Sequence, residues 1–414
     1  MMVPFVLMLL AIAVMPLIHL EWWNAHFRKG VIFLAGIIIF YYLFVLHDPH
    51  RLSVLLHEYF SFIILMGSLF VVTGGVHLRV QGEATPLSNT LFLVIGAVLA
   101  NFIGTTGASM LLIRPWIHSN RYRITAFHLI FFIFMISNVG GCLSPIGDPP
   151  LFLGYLRGIP FFWLLEHLWR AWLVAILLLT GVFYFLDRKN FLKAPRRVRE
   201  FETAEETWVF KGLFNLGFIA LIIGAVFLSS PWRELLMILA VISSYLVTPQ
   251  EILKANKFSF HPIEEIAWLF FGIFVTLLPV LDCLEEKTVA LSSYSNLQPL
   301  HFYYFTGLLS GFLDNAPTYL TFLQLHLGLQ GRSIEVVSDV IFSAIHDAKT
   351  ITAISLGAVF FGGMTYIGNG PNFMIKSIAE EEDIRMPHFF SYIFCYSLPI
   401  LLPVLILVGW LYCC

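Results

Sequence analysis

The chain has 414 residues, of which 58% are hydrophobic and only 12% charged, and its formal net charge is −2. A soluble domain carries about a quarter charged residues, so this composition excludes a water-clothed globule and makes lipid the solvent for most of the chain. The near-neutral charge excludes nucleic acid as a partner. The scattered Cys142, Cys283, Cys395, Cys413 and Cys414 exclude a disulfide framework or a thiolate metal centre, and no cofactor is expected.

Apolar runs predict membrane-crossing helices over 3–20, 31–47 and 53–73. The first lacks the basic start and small-residue cleavage site of a signal peptide, so it reads as a span. The apolar stretch 87–113 is interrupted by Gly104-Thr105-Thr106-Gly107 and reads as a re-entrant hairpin, entering and leaving on one side. Spans follow at 124–157 and 160–186, the first broken over 144–150 by Ser144-Pro145-Ile146-Gly147-Asp148-Pro149-Pro150. A charged linker occupies 187–207. Further spans are expected at 208–229, 232–248 and 262–281. A second hairpin, 301–327, is interrupted by Asp314-Asn315-Ala316-Pro317, and spans at 338–379 and 388–412 close the chain, the former broken over 366–372.

Charge orients this arrangement. With the amino terminus outside, most of the 24 Lys and Arg residues fall in cytoplasmic segments, including the cluster from Arg188 to Arg199 in the linker. The outside keeps Arg51, Arg157, Arg233, Lys287 and Arg332. Were either hairpin to cross completely, every later loop would change sides and the linker cluster would face the wrong way.

The two halves resemble each other. Ile146-Gly147-Asp148-Pro149-Pro150-Leu151-Phe152 matches Ile367-Gly368-Asn369-Gly370-Pro371-Asn372-Phe373 at four of seven positions. Gly140-Gly141 and Gly362-Gly363 precede the two phrases, and Phe102 to Thr106 aligns loosely with Phe312 to Ala316. Each half reads helix, hairpin, broken helix, and the hairpins enter from opposite sides. The expected fold is an all-α membrane protein: an inverted-repeat transporter with two re-entrant hairpins and two broken transmembrane helices. Its parts are scaffold helices over 1–52, a first repeat over 53–186, the cytoplasmic linker 187–207, scaffold helices over 208–250 and a second repeat over 251–414.

A broken helix survives at membrane depth only where its free backbone groups meet protein, water or substrate. Facing breaks present helix ends of opposite partial charge near the midplane, a ready ion site. The backbone of that site is expected at Gly147, Pro149, Gly368, Gly370 and Pro371. Asp148 and Asp314 lie at the first break and the second hairpin tip, where an ionisable residue marks an ion or proton route. Either could instead cap a helix, since each precedes proline-containing helix-start chemistry. A carboxylate binds a hard cation or a proton, seldom both, and that competition is the minimal mechanism of exchange. Neutral oxygen ligands cluster around: Asn101, Thr105, Thr106 and Ser109 in the first hairpin, Asn138 and Ser144 before the first break, Asn315 and Thr318 in the second hairpin, and Asn369 and Asn372 in the second break. Amides and hydroxyls suit alkali ions, and also a carboxylate at helix starts, so site chemistry alone leaves cation and anion open. Asp347 and Lys349 sit two apart in a helix and point to different faces, so one of them could line a proton path.

These phrases resemble the NhaD-type sodium:proton antiporters of the ion-transporter superfamily, which also holds citrate and dicarboxylate carriers and arsenite permeases. The likeness runs from about residue 50 to the end, and Ser144-Pro145-Ile146-Gly147-Asp148 is its most specific phrase. The chain departs from the usual pattern at Ala316 and at Pro149-Pro150. The resemblance implies a homodimer, with a scaffold domain and a transport domain that moves like an elevator. The expected activity is sodium (or lithium):proton antiport, with cation-coupled citrate or dicarboxylate transport as the alternative. The chain carries neither a metal-binding His-Glu pattern nor a nucleophile motif, so a transporter rather than an enzyme is expected.

Overall fold

In the computed structural model, which describes residues 2–81, 84–193, 207–291 and 297–414, apolar sequence becomes helix almost throughout. Lipid offers a backbone no hydrogen bonds, so the segments satisfy their own. Helices α1 (Val3–Ile18), α2 (Leu20–Phe40) and α3 (Pro49–Gly74) lead to strand β1 (His77–Gln81) and α4 (Pro86–Ser119). Helices α5 (Ala126–Met135), α6 (Pro149–Leu156) and α7 (Trp163–Lys193) complete the first half. Strand β2 (Thr207–Lys211) opens the second, followed by α8 (Asn215–Ala225), α9 (Trp232–Val247), α10 (Gln250–Ala255) and α11 (His261–Leu291). Helices α12 (Pro299–Phe312), α13 (Asn315–Leu329), α14 (Val337–His346), α15 (Ala348–Phe361), α16 (Gly370–Glu381) and α17 (Phe389–Cys413) finish the chain. Among the described residues, seven helices are long and apolar enough to cross a membrane. The chain is an all-α membrane protein, with one two-stranded ribbon among the described residues.

One of those seven does not run straight. As a rod, the 34 residues of α4 would span about 51 Å. Instead its two ends meet: Asn89 Nδ2 donates to Asn120 Oδ1 at 2.7 Å, and Asn120 Nδ2 returns a bond to Asn89 Oδ1 at 3.1 Å. The reversal is at Gly104, whose φ of 75° and ψ of 155° no side-chain-bearing residue adopts readily. Gly96 lets the first arm pack closely, since a Cβ there would stand 2.3 Å from the Ile136 side chain at the end of α5 and 3.0 Å from that of Leu112 on the second arm. Helices α12 and α13 form the second reversal through the extended Leu313 and Asp314, and their arms meet where the Phe302 and His326 rings lie 5.4 Å apart.

The open ends of the two reversals lie at opposite ends of α7. That of the first is fastened at Asp187, which accepts from Asn89 Nδ2 at 3.0 Å and pairs with Arg123, both side chains being almost fully buried. That of the second is fastened by His326, whose Nε2 lies 3.0 Å from Ser343 Oγ, and the next carbonyl, of Ala344, accepts from Trp163 Nε1 at 2.9 Å. Trp163 and Asp187 sit on one helix, about 36 Å apart along its axis.

Several boundaries differ from expectation. The span expected over 31–47 is the second part of a helix that begins at Leu20. The segment expected as helix over 208–229 starts as β2, paired antiparallel with β1 from His77↔Lys211 to Gln81↔Thr207. Its Trp208, Val209 and Phe210 favour a pleated strand, and helix begins only at Asn215. The expected span 338–379 is three helices, because α14 ends at His346 and α15 starts at Ala348. The first residues of the expected linker continue α7 to Lys193; its remainder, 194–206, with Arg196, Arg197 and Arg199, lies outside the described residues.

Candidate substrate site

The two helix breaks are built alike. After α5, a tight turn over Val139–Leu143 leads to extended backbone and then to α6, started by Pro149. After α15, a tight turn over Gly362–Met364 leads to extended backbone and then to α16. Each break is closed by two glycines six residues apart. A Cβ on Gly147 would stand 2.0 Å from the Gly141 carbonyl oxygen, and one on Gly368 would stand 2.5 Å from that of Gly362. The match pairs Gly141 with Gly362, one residue off the Gly-Gly alignment expected from sequence. A hydroxyl then ties each break to its hairpin: Ser144 Oγ donates to the Asn101 carbonyl, and Thr365 Oγ1 donates to the Gly311 carbonyl at 2.7 Å. Each hydroxyl also accepts the N–H three residues on, from Gly147 at 3.1 Å and from Gly368 at 3.2 Å. Both breaks begin earlier than the expected 144–150 and 366–372, because the glycine pairs need the preceding turn.

Asp148 stands at the centre and is 1% exposed. It makes no capping bond to α6, so that alternative is closed for it. Instead three neutral side chains from three other elements donate to it. Thr105 Oγ1, at the first hairpin tip, reaches Oδ1 at 2.8 Å. Asn369 Nδ2, from the second break, reaches Oδ1 at 3.0 Å. Asn315 Nδ2, from the second hairpin tip, bonds Oδ2. The backbone joins in, with Thr105 N donating to the Gly147 carbonyl at 2.7 Å. Each such bond to a charged acceptor is worth about 1.5–3 kcal/mol, which offsets the cost of a carboxylate away from water.

Asp314 behaves differently. Its Oδ1 accepts the Ala316 N–H at 3.0 Å and caps α13, while the next residue, Asn315, is the one that reaches Asp148. Asn315 Oδ1, fully buried beside them, has no hydrogen-bond partner.

The other nominated residues brace the site. Asn101 Nδ2 donates to the Gly140 carbonyl at 2.7 Å and its Oδ1 accepts the Leu143 N–H at 2.8 Å, so it holds the first break rather than meeting Asp148. Asn138 Nδ2 donates to Asn372 Oδ1 at 2.8 Å, and Asn372 Nδ2 donates to the Gly362 and Thr365 carbonyls, stitching break to break. Thr318 Oγ1 bonds the Asp314 carbonyl at 2.9 Å within α13. Thr106 is buried next to Thr105, Ser109 Oγ meets Ser137 Oγ at 2.8 Å, and Pro371 is buried at the start of α16. Gly370 faces open space, so no close approach requires it. Lys349 reaches the Cys414 carbonyl, away from the site, whereas Asp347 Oδ2 accepts from Gln330 Nε2 at 2.9 Å on the second hairpin. Thr365 and the six-residue pairing of the nominated glycines escaped the sequence reading, although glycine, hydroxyl three residues on, then glycine three further on recurs in both halves.

A cavity of about 700 Å³ opens at the end of the bundle where α16 finishes. Met110, Arg114, His118, Arg121, Lys257 and Glu382 line it. Chemically, the centre is an oxygen-rich nest. Three donors occupy three of the four lone-pair sites of Asp148, and the amide that bonds Oδ2 carries an oxygen, Asn315 Oδ1, with no partner of its own. Hard cations select such oxygens.

A family model described as "Putative citrate transport" matches residues 1–413. The chain is also similar to the "46 kDa membrane protein" of Mycobacterium leprae (strain TN), at 23% identity over 323 residues, covering 73% of this chain and 71% of the relative.

Proposed function

The chain belongs to the "Putative citrate transport" family, and we propose that within it this secondary transporter exchanges sodium or lithium for protons, as the NhaD-type antiporters do. The observation that carries the reading is Asp148: a buried carboxylate met by a hydroxyl and two amides, all neutral, beside the unpartnered Asn315 oxygen. A dehydrated alkali ion would complete its shell there. A proton on the same carboxylate removes the charge that holds the ion, so the two compete, and the competition couples their fluxes. A second carboxyl group, that of Asp314, adjoins Asn315 at the same site, and two acidic side chains there favour a cation over a polyanion.

The alternating access needed for exchange is read as a movement of both hairpins and both breaks together, against a scaffold that includes α1, α2, α8 and α9. The matched construction of the breaks and the opposite entry of the hairpins support an inverted-repeat reading with the parts expected from sequence. The same reading places the protein in the cell membrane as a homodimer, with the segment after α7 on the cytoplasmic side.

Citrate is the second reading, favoured by the family's description. Three helices, α6, α13 and α16, start around the site, and their partial positive charge would suit a carboxylate. Reconstituted vesicles separate the two. Adding sodium or lithium to acid-loaded vesicles should dissipate the proton gradient with wild-type protein and leave it intact with Asp148→Asn. Sodium-dependent uptake of labelled citrate without any proton response would overturn the antiport reading.

A further inference from the structure

We propose that Tyr392 and Ser397, brought to one face of α17 by a π-helix, are positioning residues for the site: they fix the turn of the second break and, through it, hold the amide of Asn369 against Asp148. The proposal rests on the cation-binding reading of Asp148 above and adds what sets the affinity.

The turn Gly362–Met364 and the residue after it present four carbonyls in a row, and each receives a side-chain donor. Asn372 Nδ2, on α16, donates to the carbonyls of Gly362 and Thr365 at 2.8 and 2.9 Å. The other two donors come from α17: Tyr392 Oη reaches the Gly363 carbonyl at 2.8 Å, and Ser397 Oγ reaches that of Met364 at 2.8 Å. Held at four points, the turn cannot rotate without breaking a bond. Gly362 is also the wall against which Gly368 packs, and Asn369 follows Gly368 directly. Asn369 Nδ2 then reaches the Ser137 carbonyl and Asp148 Oδ1, each at 3.0 Å. A turn free to shift would carry Gly368 and Asn369 with it and lengthen the bond to Asp148.

Delivering two donors from one helix to adjacent carbonyls is a geometric problem. Tyr392 and Ser397 are five residues apart, which on an α-helix sets them about 140° apart around the axis. Over Ile393–Leu401, α17 is instead a π-helix, and the Leu402 N–H bonds the Ser397 carbonyl five residues back. With bonds of that span, residues five apart stand over one another, so both hydroxyls meet the turn. Tyr392, Ser397 and Leu401 are fully buried on this face, whereas Phe390 and Phe394 are exposed on the other. π-helices are rare and concentrate at functional sites. The helix after the first break, α7, is α-helical and supplies one donor, Trp172 Nε1 to the Gly140 carbonyl at 3.1 Å. The π-helix thus serves the break that provides the amide, not the one that provides the carboxylate.

The hydroxyls can be removed without disturbing the packing. The Tyr392 ring lies edge-on to Phe134 of α5, with centroids 6.0 Å apart, and 4.3 Å from the Tyr366 ring. Tyr392→Phe keeps both contacts and loses the bond to Gly363; Ser397→Ala loses the bond to Met364.

Initial rates of sodium-dependent proton flux against sodium concentration, in reconstituted vesicles, test this. Tyr392→Phe and Ser397→Ala should each raise the half-saturating sodium concentration by roughly three- to tenfold and leave the maximal rate within about twofold of wild type. In an Asn369→Ala background, Tyr392→Phe should shift half-saturation by less than about twofold, because the amide through which it acts is gone. Phe394→Ala, on the exposed face of the same π-helix, should behave like wild type. If the maximal rate falls while half-saturation stays, the hydroxyls only brace the fold and the proposal is wrong. Unchanged half-saturation in both single variants, or a full second shift on top of Asn369→Ala, overturns it as well, with the antiport reading intact. A wild-type protein without any sodium-dependent flux rejects that reading, and the proposal with it.

Discussion

Asn369 stands opposite Asp148 and donates to its Oδ1 at 3.0 Å, although each residue holds the same place in its own half of the chain. Both follow the second glycine of a closing pair, and both have extended backbone, with φ, ψ of −144°, 143° and −154°, 138°. The site is thus built from two like corners, with a carboxylate in one where the other has an amide. One copy supplies the carboxylate and the other the amide that satisfies it.

That inequality can be reversed. Asp148→Asn alone removes the buried carboxylate on which three neutral side-chain donors converge and should cut transport by about a hundredfold, the worth of one or two charge-assisted bonds. Asp148→Asn combined with Asn369→Asp moves the carboxylate across the contact and should recover part of the activity. Initial rates of sodium-dependent proton flux decide it. A double variant that folds, as shown by a monodisperse elution profile, but stays as inactive as the single one would mean that the two corners are not interchangeable.

The closing glycines make a prediction about stability. Gly147→Ala and Gly368→Ala each press a methyl into a carbonyl oxygen of the facing glycine, where backbone on both sides prevents relief. Overpacking of this kind costs about 1–3 kcal/mol or more, so thermal unfolding in detergent should occur at clearly lower temperature. Gly370→Ala, two residues along and facing open space, should unfold like wild type. Equal effects at 368 and 370 would count against the close backbone approach.

The hairpins and breaks were legible because an interruption of apolar helix inside lipid leaves glycine, proline and polar residues that nothing else explains. Gly104 and the Asp314-Asn315 pair marked the reversals to within a few residues. The division of labour was not legible. Asp314 and Asn315 are neighbours, yet one caps a helix and the other reaches Asp148, which depends on how the tip is oriented. Asn101 was indistinguishable from Thr105 as a ligand until the first break lay across it. The ribbon of β1 and β2 joins segments from the two halves, and Arg157 finds Glu58 at 2.7 Å across a similar gap, so neither left a local pattern.

Those unequal roles are separable by kinetics. Asn315→Ala removes a donor to Asp148 and the free oxygen beside it, so the half-saturating sodium concentration should rise by roughly tenfold, equivalent to about 1.4 kcal/mol. Asn101→Ala touches only the backbone of the break, so it should lower the unfolding temperature and maximal rate without changing half-saturation. Measuring rate against sodium concentration for both variants checks this. A tenfold rise with Asn101→Ala and none with Asn315→Ala would reverse the assignments.

At the far end of the first hairpin, Arg123 and Asp187 form a buried ion pair whose side chains are 3% and 0% exposed. Asp187 also accepts from Asn89 Nδ2 and lies 2.9 Å from His128 Nε2, so one carboxylate ties together the first arm of the hairpin, the turn that follows its second arm, the start of α5 and the end of α7. Asp187→Asn would leave the Arg123 charge without its counter-ion, which costs about 3–5 kcal/mol. Most of such a variant should unfold on extraction into detergent. Removing both charges with Arg123→Leu and Asp187→Leu eliminates the stranded cation, so the double variant should be more stable than Asp187→Asn. The order of unfolding temperatures is the readout. If the double variant is the less stable, the bonds from Asp187 to Asn89 and His128, rather than the pairing of charges, hold the hairpin shut.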